Sequence, residues 1–407
     1  MSDSTRAKEG ATLAVVVLTA MNLLNYVDRY VPSAVKDRFK ADLHLTDAET
    51  SLPLTAFVVV YMIASPVFGS LADRWPRKVL IAGGVTLWSL ATAAAAFAVN
   101  FPTFLLARAL VGVGEAAYAT LAPPMLSDFF PPERRNRVLT VFYVAIPVGA
   151  AIGFTLGGLI GGSLGWRAAF LICGLPGVLA ALLALKIKDP GKGAWEAGPS
   201  LAAVAWPDAL GQLWKAKPYL VAVAGYTAVT FAAGGMADWF PAYLERYRHM
   251  TLGQAGSLVG TVTVVGGLVG TATGGWLADR LVGKTRQPYL ALAAVSMVPA
   301  AVCAALVFVV PDGLPVTLCM FGAQLFLWFY NGPINAMIAN AVGPAIRPRA
   351  FALSILCIHL LGDAISPPII GYISDTTGNL LPGVALVPIF MLLGSGIWAT
   401  GWRRLAS

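Results

Sequence analysis

The sequence predicts an all-α polytopic membrane protein, with twelve transmembrane helices in two pseudo-symmetric six-helix bundles. Three observations carry that prediction. The composition is strongly apolar, apolar runs long enough to cross a bilayer recur throughout, and one loop sequence occurs twice at matched places. Hydrophobic residues make up 57% of the 407 and charged residues only 12%, against about 25% charged in soluble domains. A soluble chain of this length could not clothe its surface with so few charges. The 42 Gly and 27 Pro fit membrane helices, where neighbouring helices re-satisfy broken backbone bonds.

Taken in order, the apolar runs give spans 1–6 at roughly 11–33, 49–71, 79–99, 102–126, 138–162 and 166–186, each near the ~20 residues a bilayer requires. Spans 7–12 follow at roughly 218–243, 252–278, 288–310, 314–341, 350–373 and 382–402, again near ~20 residues or longer. One long polar connection divides them. The expected organisation is therefore an N-terminal bundle (1–186), a cytoplasmic linker (187–217) and a C-terminal bundle (218–407). Within the linker, 201–214 is mildly amphipathic and carries Trp206 and Trp214. That pattern fits a helix lying at the membrane interface or a plain connector.

Placing the N-terminus in the cytoplasm puts twenty of the 28 Lys and Arg in cytoplasmic segments and six outside. Arg29 and Arg108 fall inside apolar runs. The bias predicts both termini inside and an even number of spans. It also accounts for the +8 net charge without a nucleic-acid partner. The first helix lacks a small-residue cleavage site and reads as an uncleaved span.

The loop after span 2 reads Gly69-Ser70-Leu71-Ala72-Asp73-Arg74, and the loop after span 8 reads Gly275-Trp276-Leu277-Ala278-Asp279-Arg280. Internal symmetry of this kind is expected of secondary transporters. Asp73 and Asp279, each at a helix end, predict a conformational latch. Arg74, Arg77, Arg280, Arg134 and Arg135 form its pool of partners.

With this loop in both halves, the chain resembles the major facilitator superfamily. Arg108-Ala109-Leu110-Val111-Gly112-Val113-Gly114-Glu115 in span 4 partly matches that superfamily's signature, and Glu115 replaces a residue that is often small there. Gly149, Gly153, Gly157, Gly158, Gly161 and Gly162 in span 5 are similar to its glycine-rich fifth helix. Spacing of four puts such residues on one face and lets backbones approach. A narrower resemblance is to the Spinster family, the bacterial relatives of sphingosine-1-phosphate and lysophospholipid exporters. It rests on Asn25-Tyr26-Val27-Asp28-Arg29-Tyr30, Gly112-Val113-Gly114-Glu115-Ala116 and Ser127-Asp128-Phe129-Phe130-Pro131. The resemblance implies a proton-linked carrier of single-chain lipids in the cell inner membrane, acting as a monomer. It also implies that spans 1, 4, 7 and 10 line a central cavity.

Ionisable residues inside spans are costly and are functional candidates by default. Asp28 and Arg29 in span 1 and Arg108 in span 4 lie about 10 Å below the outer surface by helical rise. Glu115 is two turns deeper, on the face of Arg108. Depth predicts an Asp28–Arg108 pair. It leaves Glu115 poorly compensated, with a raised proton affinity, so Glu115 and Asp28 are the candidates for proton coupling. Arg29 and Arg108 are the candidates for a substrate headgroup. His359 and Asp363, four apart in span 11, either line a cavity or pack. Asn331 and Asn335, beside Gly332 and Pro333, mark a broken polar segment in span 10. Tyr226 in span 7 and Tyr330 in span 10 are aromatic candidates for lining a cavity, among aromatics that mostly pack.

No phosphate-binding Gly-rich loop, zinc-protease motif or nucleophile elbow occurs, so neither ATP drive nor an enzyme is expected, and no cofactor or metal. The four Cys sit in apolar runs without ligand spacing. Two-fold internal symmetry favours alternating access over a channel or a scaffold. The expected partners are protons, membrane lipids, and an amphipathic lipid or small-molecule substrate. Export of amphipathic drug-like compounds is the alternative reading.

Overall fold

Each apolar run becomes a helix. The computed structural model describes residues 3–191, 205–343 and 345–406. Among them, twelve helices are long and apolar enough to cross a membrane. Spans 1–6 are Gly10–Ala34, Asp47–Leu71, Arg77–Ala95, Phe101–Asp128, Arg137–Ser163 and Trp166–Ala184. Spans 7–12 are Lys217–Tyr247, Leu252–Leu281, Pro288–Leu306, Leu314–Asn340, Arg347–Thr377 and Leu380–Arg403. The fold class is the one the sequence predicts. Part of the expected linker, 192–204, lies outside the described residues. Beyond it, Trp206–Lys215 forms a separate short helix.

Local chemistry sets the helix ends. Span 2 opens on a capping box: Glu49 N–H donates to Thr46 Oγ1, and Glu49 Oε2 accepts from Thr46 N–H, satisfying two orphan donors. Span 4 opens on the same device with Asn100 and Thr103. The far ends of spans 4 and 10 are closed alike. Arg135 donates through Nε to the Ser127 carbonyl at 3.0 Å, and Arg347 through Nε to the Ala339 carbonyl at 2.9 Å. In both cases an Arg eight residues downstream meets a terminal carbonyl of the helix, where a cation also suits the dipole. This echo is a second internal repeat beside the Gly-x-Leu-Ala-Asp-Arg loops.

By packing, the chain falls into two units: Met1–Gly198 with Leu244–Gly260, and Pro199–Tyr243 with Thr261–Ser407. In the first, glycines let helices touch at backbone distance. A Cβ at Gly149 or Gly153 would lie 2.6 Å from the Leu23 or Val27 carbonyl of span 1, too close for any side chain. One at Gly158 would lie 2.5 Å from the Leu252 carbonyl. The glycine stripe of span 5 thus serves two neighbours, span 1 and the start of span 8. Residues 244–260 are further held by ions. Arg246 donates to both oxygens of Asp37 and both of Asp47, at 2.5–2.8 Å, and Arg38 pairs with Glu245 at 2.8 Å.

The second unit is built on buried aromatics. Trp239 and Trp398 are fully buried, and each indole N–H finds a carbonyl, of Pro367 and Ala222 respectively, as a buried indole requires. Phe231 stacks on Phe390 with centroids 3.7 Å apart. Phe231 and Trp239 are thus packing residues.

Candidate functional site

In the first unit, spans 1 and 4 bring four ionisable residues into one buried region. Asp28 and Arg108 are 1% exposed and Glu115 is 0% exposed. Gly112 and Gly114 make this possible. A Cβ at Gly112 would strike the Phe57 carbonyl of span 2 at 2.5 Å, and one at Gly114 the Gly84 carbonyl of span 3 at 2.4 Å. Span 4 is thereby pressed against both neighbours, and Glu115 lies inside rather than on a lipid face.

The ion pair that forms is Arg29–Glu115, with Arg29 Nη2 donating to Glu115 Oε2 at 2.6 Å. Among the described residues, Asp28 and Arg108 form no ion pair with each other or with another ion. This corrects the pairing expected from depth. The reason is side-chain reach. In a helix the side chain leans back toward the N-terminus, which in span 1 means toward the level of Glu115. Arg29 is long enough to cover the two turns that separate them, whereas Asp28 is not, and successive residues project about 100° apart. Glu115 is therefore the compensated acid. Among the described residues, Asp28 is the buried acid without an ion-pair partner; its Oδ1 accepts no hydrogen bond, and Arg108 Nη1 and Asn25 Nδ2 donate none.

Arg29 also sits among rings. Its guanidinium lies 4.7 Å from the Tyr26 centroid, 4.9 Å from Phe57 and 6.0 Å from Tyr61. That of Arg108 lies 5.8 Å from Phe57. Such contacts stabilise a partly desolvated cation by about 0.5–2 kcal/mol each. With its side chain 20% exposed against 0% for Glu115, Arg29 is the more accessible member of the pair.

The loop residues divide. Asp73, Arg74, Arg134, Asp279 and Arg280 are exposed, and the Arg280 guanidinium stacks on Trp276 at 3.8 Å. Arg77 is instead buried. It pairs with Asp128 at 2.6 Å and with both oxygens of Asp189 at 2.5 and 3.0 Å. These joined carboxylates, from the end of span 4 and the segment after span 6, were not singled out as partners from sequence. Asp128 was visible only within a quoted motif. Arg135, at 3.0 Å from Ser127 O and 3.2 Å from Phe130 O, serves as a helix cap.

In the second unit, His359 and Asp363 meet at 2.9 Å on a turn that is π-helical. Their side chains remain 33% and 27% exposed. The turn is crowded by span 7, since a Cβ at Gly234 would lie 2.6 Å from Asp363 Cβ. Span 10 breaks at a 3-10 turn over Trp328–Tyr330. There Tyr226 and Tyr330 meet edge to face with centroids 5.1 Å apart. Just beyond, Asn335 Nδ2 donates to the Asn331 carbonyl at 2.7 Å. Span 10 is thus interrupted at Trp328–Tyr330, just before the polar segment that the sequence marked as broken, and Asn331–Asn340 itself is regular α-helix. Departures from α-helix of this kind collect at functional sites. No group of His, Cys, Asp and Glu suited to a metal ion occurs among the described residues.

Known proteins agree on what this architecture is. The Major Facilitator Superfamily profile matches residues 18–367. Protein spinster homolog 1 of Mus musculus is 35% identical over 387 residues, covering 90% of this chain and 73% of its own length. Protein spinster of Drosophila melanogaster is 33% identical over 371 residues, and the match spans 89% of this chain but 61% of that longer protein. Among solved structures, a bacterial homolog of the human lysosomal transporter Spinster, inward-facing and occupied, superposes with a TM-score of 0.84 at 20% identity. It covers 99% of this chain and 98% of its own. The same homolog, inward-facing and unoccupied, gives 0.79. With its fold, its repeated loop and its buried Arg29–Glu115 pair in place, the chain belongs to the major facilitator superfamily of membrane transporters and, within it, to the Spinster family.

Proposed function

We propose that this secondary transporter is a proton-coupled carrier of an amphipathic single-chain lipid with an anionic or zwitterionic headgroup. It moves that lipid across the cell inner membrane by alternating access. The observation that supports this most is the buried Arg29–Glu115 ion pair at 2.6 Å, ringed by Tyr26, Phe57 and Tyr61. A phosphate headgroup competes with the carboxylate for the guanidinium, because two parallel N–H bonds to phosphate are strong and directional. Glu115, once displaced, is a lone carboxylate in apolar surroundings and takes up a proton. Asp28, already without an ion partner, holds a second exchangeable proton beside Arg108 and acts as the gating partner. Headgroup and proton then each change the affinity for the other, and that linkage is reciprocal.

In this reading the two bundles and the 187–217 connector are the moving parts, with both termini cytoplasmic. Asp73, Arg74, Asp279, Arg280, Arg134 and Arg135 form the cytoplasmic latch, while Arg77 anchors one half. The lysophospholipid or sphingosine-1-phosphate-like class comes from the family. The three rings around Arg29 also favour flat apolar compounds, so export of amphipathic drug-like molecules is the second reading.

The test is reconstitution in proteoliposomes. Glu115→Gln is expected to abolish uptake driven by a pH gradient and to retain part of the exchange at equal pH. Concentrative uptake by Glu115→Gln at normal stoichiometry would remove Glu115 from coupling. Native mass spectrometry of gently extracted protein separates the substrates. A co-purified lysolipid that is lost in Arg29→Ala supports the lipid reading, and binding of cationic drugs unaffected by Arg29→Ala supports the other.

A further inference from the structure

The centre of the first unit holds more polar atoms than it pairs. Asp28 Oδ1, Trp88 Nε1, Ser89 Oγ, Thr92 Oγ1 and Arg108 Nη1 are buried and have no hydrogen-bond partner among the described residues, and neither has Asn25 Nδ2, one turn before Asp28. All six residues are at most 3% exposed. They converge. Thr92 and Trp88 in span 3 face the Asp28 carboxyl group, and Arg108 in span 4 is near enough to act on its charge, yet none meets it in hydrogen-bonding geometry. Ser89 and Trp88 also turn toward span 6. A Cβ at Gly177 would collide with Ser89 Oγ and lie 3.5 Å from Trp88 Nε1, and one at Gly174 would lie 2.9 Å from the Thr92 methyl group. Span 6 is split between these two glycines, into Trp166–Gly174 and Pro176–Ala184, where Pro176 supplies no N–H to the preceding turn.

Bare, each of these atoms would forfeit a hydrogen bond, and six such losses in one place are more than a marginally stable fold carries. Donor count and charge identify what closes the gap. Asn25 Nδ2, Trp88 Nε1 and Arg108 Nη1 can only donate, Asp28 Oδ1 accepts when ionised, and the two hydroxyl groups do either. A metal cation would face three donors and the Arg108 charge. An anion would face Asp28 and, near it, Glu115. Water accepts from the donors and donates to the carboxyl group, and a buried water needs only about 2–4 such partners.

We propose that spans 1, 3, 4 and 6 enclose a buried water site, in which Trp88, Ser89, Thr92 and Arg108 hold water against the Asp28 carboxyl group. Hydrated in this way, a carboxyl group deep in the bundle can exist both ionised and neutral, and its proton has an oxygen to move to at hydrogen-bond distance. The other ionisable groups facing Asp28 are Glu115 and Arg108 of span 4 and Cys173 of span 6, and none is hydrogen-bonded to its Oδ1. Thr92 and Ser89 are then positioning residues that act on Asp28 through the water. This deepens the reading in which Asp28 holds an exchangeable proton, but the site itself does not require that reading.

The experiment is X-ray hydroxyl-radical labelling of the full chain in lipid nanodiscs, read by mass spectrometry. Radiolysis makes the radical from water where the water is bound, so a buried ring is oxidised only if water touches it. Trp239 is the control: it is as buried as Trp88, but its N–H is taken by the Pro367 carbonyl. Trp88 is expected to be labelled several-fold faster than Trp239. Thr92→Val, which keeps the shape and removes the hydroxyl group, should bring Trp88 down toward the Trp239 rate and slow uptake driven by a pH gradient several-fold. Thr92→Ser should restore both. Equal labelling of Trp88 and Trp239 in the wild type would overturn the proposal, and so would Trp88 labelling unmoved by Thr92→Val combined with Ser89→Ala. A fall in labelling when sodium replaces choline in the buffer would overturn it as well, since a cation would then occupy the site. If Trp88 is labelled as expected while Asp28→Asn still concentrates substrate, the water site stands and the proton role of Asp28 fails.

Discussion

The two units solve the problem of polarity inside a membrane in opposite ways. In the first, ionisable groups are gathered on regular helices: Asp28, Arg108 and Glu115 are buried and Arg29 is largely so, with glycine contacts pressing span 4 against its neighbours. In the second, the polar groups are hydrogen-bonded, partly exposed, and carried on broken helices: the π turn of His359–Asp363 and the 3-10 turn of Trp328–Tyr330. A buried ion tolerates little displacement, because its stabilisation depends on a counter-ion at contact distance. A hydrogen-bonded pair near solvent tolerates more, because water can stand in for a lost partner. The difference shows where rigidity and where adjustability are needed.

The largest expected effect is at Arg29. Arg29→Ala removes the partner of a fully buried carboxyl group, and breaking a buried pair from one side costs about 3–5 kcal/mol. Glu115→Gln should cost less, since it removes the charge that burial penalises. Asp363→Asn in the second unit should cost about 0.5–1.5 kcal/mol, the range of an ordinary hydrogen bond. Unfolding in detergent together with uptake assays measures all three. If Asp363→Asn destabilises as much as Arg29→Ala, the contrast between the units fails.

Next is the crowding of the π turn. Gly234→Ala places a Cβ 2.6 Å from Asp363 Cβ and 2.7 Å from its Cα, and overpacking of this sort costs about 1–3 kcal/mol. Gly332→Ala, with nothing within 4 Å, should be neutral or should stabilise span 10 by up to ~1 kcal/mol. Unfolding midpoints of the two variants make the comparison. Equal midpoints would mean that span 7 and the π turn are free to separate, and that the second unit is looser than its contacts indicate.

A smaller effect is expected at His359. Its ring meets Asp363 at 2.9 Å with both side chains partly exposed, where water can stand in for a lost partner. His359→Gln should therefore change the maximal rate of equal-pH exchange only a few-fold and lower stability by no more than about 0.5–1.5 kcal/mol. A loss of stability as large as that of Arg29→Ala would end the contrast between the units.

Much of this was legible in the sequence, and the reason is rarity. An ionisable residue in an apolar run stands out because membrane helices exclude it, so Asp28, Arg29, Arg108, Glu115, His359 and Asp363 could be found by inspection. Spans, loop repeat and broken helix 10 follow from period, spacing and Asn-Gly-Pro content. What was not legible is partnership. Asp28 was expected to hold Arg108 because depth was counted from Cα positions, whereas Arg29 reaches Glu115 through the length and lean of its side chain. The π turn leaves no local signature, since its extra residue is accommodated by packing against Gly234. Arg77 was grouped with the exposed latch because its neighbours Asp73 and Arg74 are loop residues, but two carboxylates far away in sequence bury it. The placement of 244–260 in the first unit likewise rests on Arg246 and on Gly158, which only the folded chain brings together.

The smallest effect tests whether charge itself or its burial makes the first unit rigid. Asp189 lies outside the spans with its side chain 23% exposed, and it binds the Arg77 guanidinium through both oxygens. Burial works against its ionisation, but the hydrogen bonds from Arg77 and the Gly191 N–H, with the charges of Arg77 and Lys78, hold its carboxyl below the usual carboxylate range. In the unfolded chain an Asp titrates near ~3.9. A carboxyl whose folded value is depressed stabilises the fold fully above the unfolded value, and that stabilisation drains away as the pH falls through the folded one. Asp189→Asn should therefore lower stability at neutral pH by about 1 kcal/mol, as for a partly exposed ion pair, while Arg77 keeps Asp128. As the medium is acidified below the ordinary Asp range, the wild type should converge on the variant, because its own Asp189 becomes neutral. Asp128→Asn, which removes the more buried partner of Arg77, should cost more at neutral pH. Unfolding curves collected from neutral to acid pH read both. A gap between wild type and Asp189→Asn that persists undiminished in acid would show that the segment after span 6 is held by shape rather than by charge. Rigidity in the first unit would then owe less to its ions than to glycine contacts such as those of Gly112, Gly114 and Gly153.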